Sequence, residues 1–284
     1  MTAPALSTHA RRVLDEASVA KGARVLVACS GGVDSQVLLD VLAHLAGRGR
    51  LEVVACGVDH GLRPEAASEL DRAEALALAR GTHFHRVAVT VENGANLQAR
   101  ARAARWGALE RVATEQQCSF VATGHHQGDR AETVLMRILR GAPLSGLAVL
   151  PPHEGPRLRP LIGATRTEIV AHAERRKLAY AEDPANRDPR YVRTRIRAEV
   201  MPLLRQLDPR VDEHLAALAD RAGDDTERER ARVFATILAA TGVAPSSRAV
   251  AAVVSGKKAL LADDREAEVR EPGGPVVITP SHRR

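Results

Sequence analysis

Short apolar runs alternate with longer amphipathic stretches over the first 126 residues. Arg24–Cys29, Val53–Val58, Phe84–Val89 and Phe120–Thr123 are short, rich in valine and bounded by Gly, Asp, His or Thr. That is the pattern of strands covered on both faces, where no polar side is needed. Between them lie helical patterns. Ser35–Ala46 stops at Gly47, and Pro64–Arg80 opens on proline and stops at Gly81. Asn96–Gln117 is a third, and Gly128–Arg140, stopping at Gly141, a fourth. Proline at a first turn and glycine just past a last one are the expected boundaries. Strand–helix alternation of this kind predicts an α/β fold with a parallel sheet and helices on both faces. Ligands of such sheets bind outside the carboxyl ends of the strands.

The pattern changes further along. Gly141–Pro156 is rich in Gly and Pro and reads as loop, and Arg159–Ile162 as a short extended segment. Thr165–Lys177 reads as a helix, with Thr165 and Glu168 spaced as a capping box. Pro184 and Pro189 interrupt an irregular stretch. Tyr191–Gln206 is predicted helical and basic, Pro209–Thr241 a long helix, and Ala249–Arg284 a mixed tail of short Val/Leu pieces. The change near Leu207–Pro209 divides the chain into residues 1–207, of α/β pattern and expected to hold any ligand site at its strand ends, and 208–284, a small, mainly helical region.

Candidate chemistry falls where the topology wants it. Ser30-Gly31-Gly32-Val33-Asp34-Ser35 lies between the first strand and the first of the helical patterns. Glycines free to take positive φ let consecutive N–H groups converge on one anion, and the helix start adds unpaired N–H groups. The string is not a Walker loop, which requires G-x-x-x-x-G-K-[ST]. Asp34 is either a magnesium ligand or the helix N-cap, since a carboxylate facing phosphate needs a cation between them. Ser35 is a second hydroxyl contact or the cap.

A second block, Gly124-His125-His126-Gln127-Gly128-Asp129-Arg130-Ala131-Glu132-Thr133, follows the fourth strand. On a helix starting near Gly128, Asp129, Glu132 and Thr133 share a face, with His126 at its mouth. Imidazole and carboxylates together can position an amine and accept a proton from it. Taken singly, Asp129 reads as a dipole partner of the helix and Glu132 as a partner of Arg130 or Arg137. As a cluster beside a phosphate turn they read as functional.

Bulk properties narrow the partners. Net charge is +6 with a pI near 9.8, which favours a polyanion. Arg187, Arg190, Arg193, Arg195 and Arg197 crowd one short stretch against the single acid Asp188. Aromatic residues make up only 2% of the chain, so RNA contacts would rest on arginine and phosphate rather than on stacking. Cys29, Cys56 and Cys118 lie in or beside apolar runs without C-x-x-C spacing, so they are expected as thiols and not as zinc or iron–sulfur ligands. No apolar run is long enough to span a membrane and Met1–Arg12 lacks a leader-type apolar core, from which a cytoplasmic protein is expected.

The glycine turn is similar to the S-G-G-x-D-S signature of the pyrophosphatase-loop superfamily. The further blocks Asp59-His60-Gly61-Leu62-Arg63, Ala101–Trp106, Arg137–Gly141, Arg159-Pro160-Leu161, Glu182–Asn186 and Tyr191–Arg197 follow in order. Over roughly Arg24–Leu204 the chain resembles the tRNA(Ile)-lysidine synthases. It departs from their pattern at Gln98, Trp106 and Thr194, where glutamate, tyrosine and asparagine are common. The resemblance implies a Rossmann-like sheet of the adenine nucleotide α-hydrolase-like kind. It also implies a ligase that uses ATP and Mg²⁺ to join L-lysine to C2 of the wobble cytidine in the CAU anticodon of tRNA(Ile). The C2 oxygen is adenylated with loss of pyrophosphate, and the lysine amine then displaces AMP. Ser30, Gly31, Gly32, Val33, Asp34, Ser35, Asp59 and Arg102 would hold ATP, with Asp34 on the metal. His126, Asp129 and Glu132 would bind lysine and assist proton loss. Arg193 and Arg197 would stabilise the phosphate or adenylate. His60 and Arg63 would belong to the nucleotide or RNA entrance, and residues 208–284 would grip tRNA. The competing readings are a sulfur-transfer enzyme of the same superfamily and a basic RNA-binding protein with a vestigial ATP site.

Overall fold

The structure, a computed structural model, describes residues 5–59, 61, 66–91, 94, 97–181, 190–241, 244–254, 259–261, 265–269 and 276–280. His60, Arg63 and the block 182–186 lie outside the described residues. The chain forms two compact units, Met1–Met136 with Leu150–Ala216, and Arg137–Val149 with Ala217–Arg284.

In the first unit, α1 (Leu6–Glu16) precedes β1 (Arg24–Cys29), α2 (Val33–Ala46), β2 (Glu52–Asp59), α3 (Ala66–Ala79), β3 (His83–Ala88), α4 (Leu97–Glu115), β4 (Phe120–Ala122) and α5 (Gln127–Leu139). A hairpin of β5 (His153–Glu154) and β6 (Arg157–Leu158) follows, then α6 (Arg166–Arg176). The six strands are ordered β3-β2-β1-β4-β6-β5, and all pairs are parallel except β5 with β6. The alternation of β1 sorts its side chains between two cores. Val25, Val27 and Cys29 pack with residues of α1, α2, α3 and α6, while Leu26 packs with Leu109, Val112 and Ala113 of α4. The expected parallel sheet with helices on both faces is observed.

Three local differences have physical causes. The strand expected at Arg159–Ile162 lies two residues earlier. Pro160 has no N–H for a ladder, and the chain turns there with Ile162 N–H bonded to Arg159 C=O at 3.0 Å. The segment 141–156, read as loop, contains a 3₁₀ turn at Leu144–Leu147 and the strand β5. The N-terminal helix α1 was not anticipated. It buries Leu6, Ala10, Val13 and Leu14, one stripe at helical spacing.

The basic stretch forms α7 (Val192–Arg195), a π-helical turn at Ile196–Val200 and α8 (Met201–Leu207). Ile196 and Met201 are buried with Ala131 of α5 and the start of α9 (Val211–Thr241). The change of pattern at Leu207 coincides with the end of α8, and the division between compact units falls later, inside α9. The second unit has the helical character expected of it, with the rest of α9 and α10 (Ser247–Val254). It also carries an antiparallel sheet of β7 (Ala259–Leu260), β8 (Arg265–Val269) and β9 (Val276–Pro280), which closes over Val233, Ile237, Val250 and Val253. No described helix is long and apolar enough to cross a membrane.

Two polar devices fix the helices of the first unit. Asp40 of α2, 2% exposed, is reached by Arg80 at 2.6 Å, His172 at 2.8 Å and Arg176 at 3.2 Å, which ties α2 to the end of α3 and to α6. Burial pushes its carboxyl pKa upward, but the hydrogen bonds from His172, Arg176 and Arg80 outweigh burial and hold it well below the usual range. The capping box at α6 is also present: Thr165 N–H donates to Glu168 Oε2 at 2.7 Å, and Glu168 N–H to Thr165 Oγ1 at 3.2 Å. Replacing Thr165 with Ala removes half of this cap. The Thr165→Ala protein should lose about 1 kcal/mol of stability in urea unfolding, with an unchanged m-value.

Candidate active site

At the carboxyl end of β1 the chain makes a turn that tolerates no side chain at Gly31. Gly31 has φ +78°, and a Cβ there would stand 2.2 Å from the carbonyl oxygen of Glu69 in α3. A Cβ on Gly124, after β4, would stand 2.9 Å from the carbonyl oxygen of Asp34. Both glycines let backbone pack on backbone around the turn. Ser35 Oγ donates to Gly32 C=O at 2.9 Å and accepts from Ser30 N–H at 3.1 Å, closing the turn on itself. Gln36, fully buried, donates from its amide to Arg72 C=O at 3.2 Å and Ala179 C=O at 2.9 Å. Ala181 N–H adds a bond to Gly31 C=O at 2.9 Å.

The N-cap of α2 is Gly32, which offers no side-chain cap, so neither Asp34 nor Ser35 plays that part. The first amides of α2 are left for an anion in front of the turn. Val33 is buried beneath it. Asp34, half-buried, pairs with Arg166, the first residue of α6, which was absent from the sequence-based candidates. Asp59 ends β2 and accepts from Gly61 N–H at 2.8 Å, forming a small turn at the same edge of the sheet.

His126 lies between the turn and the acidic face of α5. Its Nδ1 accepts from Gly128 N–H at 3.0 Å, so its proton sits on Nε2. That nitrogen is 3.9 Å from Asp34 Oδ1 and 3.6 Å from Asp129 Oδ2. Asp129 also accepts from His126 N–H at 3.1 Å. The expected partners of Glu132 were Arg130 or Arg137; the observed ones come from the basic helix instead. Arg193 reaches Asp129 at 2.8 Å and Glu132 at 2.9 Å, and Arg197 reaches them at 3.1 and 2.6 Å. Two carboxylates and two guanidinium groups thus form one closed network. Glu132 is 3% exposed, so its charge depends on these partners. Burial pushes Asp129 upward, but His126 and Arg193 draw it down to about 2. Arg197 is lowered by burial and raised further by Glu132, with a net upward shift.

His125 sits beside this network with Nδ1 2.8 Å from Thr123 Oγ1. Burial lowers its pKa to about 4, although Asp129 pulls the other way. Arg102, on α4, is near enough to act on His125, and burial and the neighbouring charges of Arg193 and Arg157 lower its own pKa. The structure therefore gathers Ser30–Ser35, His126, Asp129, Glu132, Arg193 and Arg197 at one end of the sheet. Asp59 and Arg102 stand at its flanks. Sequence reasoning missed Arg166, Gly124 as a contact to the turn, and Gln36. Only Gly124 carried a sequence signal, a glycine directly after a strand.

Residues 5–204 match the family model described as the PP-loop domain, the class that this turn and this sheet define. Curated relatives include tRNA(Ile)-lysidine synthases from Thermobifida fusca (39% identical, covering 78% of this chain and 68% of the relative) and Pseudomonas syringae pv. tomato (39%, covering 70% and 45%). That of Novosphingobium aromaticivorans is 42% identical over 66% of this chain and 58% of its own. The chain belongs to the tRNA(Ile)-lysidine synthase family. It spans about half the length of several of these relatives. Among solved structures, the U34-tRNA thiolase NcsA from Methanococcus maripaludis, with its [4Fe-4S] cluster, shares the fold with a TM-score of 0.65 at 21% identity over 76% of each chain.

The His125 environment has a pH signature. The unfolded chain takes up a proton near pH 6.5, and the folded chain refuses it until about pH 4. Stability from this group is therefore present above pH 6.5 and lost as the pH falls toward 4. Urea unfolding at pH 7 and pH 4.5 should show a smaller loss for His125→Gln than for the parent, by about 2–3 kcal/mol.

Proposed function

We propose that this chain catalyses ATP-dependent attachment of L-lysine to C2 of the wobble cytidine in the CAU anticodon of tRNA(Ile), forming lysidine. The observation that carries this reading is His126 standing between Asp34 at the phosphate turn and Asp129 in the acid–arginine network, within 4 Å of both. A reaction that first spends a triphosphate and then admits an amine needs those two regions side by side.

In this reading the glycine turn and the free amides of α2 hold the triphosphate, with Ser30 and Ser35 as hydroxyl contacts and Asp59 and Arg102 at the flanks. The C2 oxygen of the base attacks the α-phosphorus, and pyrophosphate leaves. Arg193 and Arg197 then find phosphate oxygens competing for their guanidinium forks. As they turn toward those oxygens, Asp129 and Glu132 are left to receive the ε-ammonium of lysine. Asp129 is the proton acceptor. The basic nitrogen of His126 is already filled by Gly128 N–H, and its backbone N–H, which donates to Asp129 Oδ2, orients that carboxylate instead. With the arginines withdrawn, two of the groups that depress Asp129 are gone, and its basicity rises when the amine must lose its proton. The neutral amine attacks C2, the C–N bond forms, and the bond from C2 to the adenylated oxygen breaks to release AMP.

Mg²⁺ fits this site. Asp34 offers one half-exposed carboxylate at the mouth of the turn, the donor that Mg²⁺ takes together with phosphate oxygens. Asp34 would hold it, and the ion would offset the negative charge of the phosphates, in competition with Arg166 for that carboxylate. The sulfur-transfer reading is not favoured. Cys29 and Cys56 are buried, and the described residues contain no cluster of His, Cys, Asp and Glu suited to a metal.

The direct test is incubation with ATP, radiolabelled lysine and a CAU-anticodon tRNA(Ile) transcript. Label in the RNA that depends on ATP is expected, and its absence beside an active control enzyme defeats the proposal. The two half-reactions separate the roles. Asp129→Asn should keep RNA-dependent pyrophosphate release within a few-fold while lysine transfer falls about 100-fold or more. Asp34→Ala should lose both. Gly124→Ala should weaken nucleotide binding about tenfold or more in calorimetric titration, because its methyl group would displace the turn.

A further inference from the structure

A cleft in the first unit is lined by α4 and the β5–β6 hairpin and has a volume of about 530 Å³. Its walls carry more arginine than acid. Arg102, Arg157 and Arg159 line it, with Arg105 one turn beyond Arg102 on α4, and the lining acids are Glu110 and Glu154. Each acid is already taken: Glu110 by Arg157 at 2.8 Å and Glu154 by Arg159 at 3.3 Å. Arg102 and Arg105 have no carboxylate partner among the described residues, and Arg105 Nε is buried without any acceptor. Burial and then the nearby charge of Arg102 destabilise the protonated form of Arg105. Placing like charges together without counter-charge costs free energy, and a bound anion offsets it. The arrangement is also held rigid. Arg157 Cζ lies 4.4 Å from the centroid of the Trp106 ring, and Arg159 donates to Pro151 C=O at 2.7 Å.

We propose that this cleft binds the phosphodiester backbone of a single-stranded RNA segment next to the reacting base. The inference rests on the proposed function, since it deepens the account of how the same substrate is held. Two surplus positive charges on neighbouring turns of one helix match successive phosphates better than the single carboxylate of an amino acid. The chain's scarcity of aromatic residues likewise leaves phosphate contact as the available means of holding RNA. Arg102 then stands where the RNA strand and the nucleotide meet.

The test is the affinity of the full chain for a CAU anticodon stem-loop RNA across a salt series, with Arg157→Gln and Arg105→Gln beside the parent. Arg157 is partly exposed, so its replacement leaves the core intact. Arg105→Gln is read only after its thermal midpoint has been compared with that of the parent. Each variant is expected to bind the RNA about 3- to 10-fold more weakly and to lower the slope of log affinity against log salt by about 0.7–1. Affinity for ATP without RNA should stay within about twofold in Arg157→Gln. Unchanged RNA affinity and slope in both variants would overturn the inference and leave the proposed activity standing. A parent that fails to bind the RNA, or a raised lysine KM with RNA affinity intact, would overturn it too. RNA bound through the cleft without any lysine attached would defeat the proposed activity and keep the cleft.

Discussion

Backbone crowding at the carboxyl end of β1 governs the geometry of everything around it. The turn Ser30–Ser35 is wedged between the Glu69 carbonyl on one side and Gly124 on the other, at distances that no Cβ could occupy. Because β1 lies between β2 and β4, both neighbours bring their carboxyl ends to the same place. Gln36 and Ala181 fasten the turn from below with hydrogen bonds to parts of the chain far away in sequence. A turn fixed from so many directions presents its amides without paying reorganisation when an anion arrives, and that preorganisation makes a phosphate site effective.

Against this rigid turn the acid–arginine network is a balance of charges. Asp129 and Glu132 are too buried to stand as bare carboxylates, and Arg193 and Arg197 supply the matching charge. A network that is neutral by itself is stable without ligand, yet each of its members has a competing partner in the proposed reaction: phosphate for the guanidinium groups, ammonium for the carboxylates. The π turn at Ile196–Val200 lies within the helix that carries both arginines, a type of irregularity found often at functional sites. The buried Asp40 network is different in kind. Its arginines, histidine and carboxylate hold helices together and face no cavity among those described.

Much of the architecture was legible because its signals are local. Valine-rich runs, glycine stops and the Thr165–Glu168 spacing each depend on neighbours in sequence, and each element stands within a few residues of its expected place. The glycine turn was legible for the same reason. What escaped was α1, β5 and the small antiparallel sheet, all short pieces that gain their stability from what they pack against. In the site, Arg166 was invisible because nothing near it in sequence hints at Asp34, 132 residues away along the chain.

The sequence by itself determined the fold class and the glycine turn after the first strand, and it singled out Asp129, Glu132, Arg193 and Arg197 as candidates. Periodicity, glycine and charge type are written residue by residue. Only the tertiary structure decided which of these charges neutralise one another, that His126 presents Nε2–H and not a lone pair, and that Arg102 and Arg105 have no carboxylate partner among the described residues. Pairing in a buried site is set by distances of a few ångströms between side chains remote in sequence, and no local pattern encodes those distances.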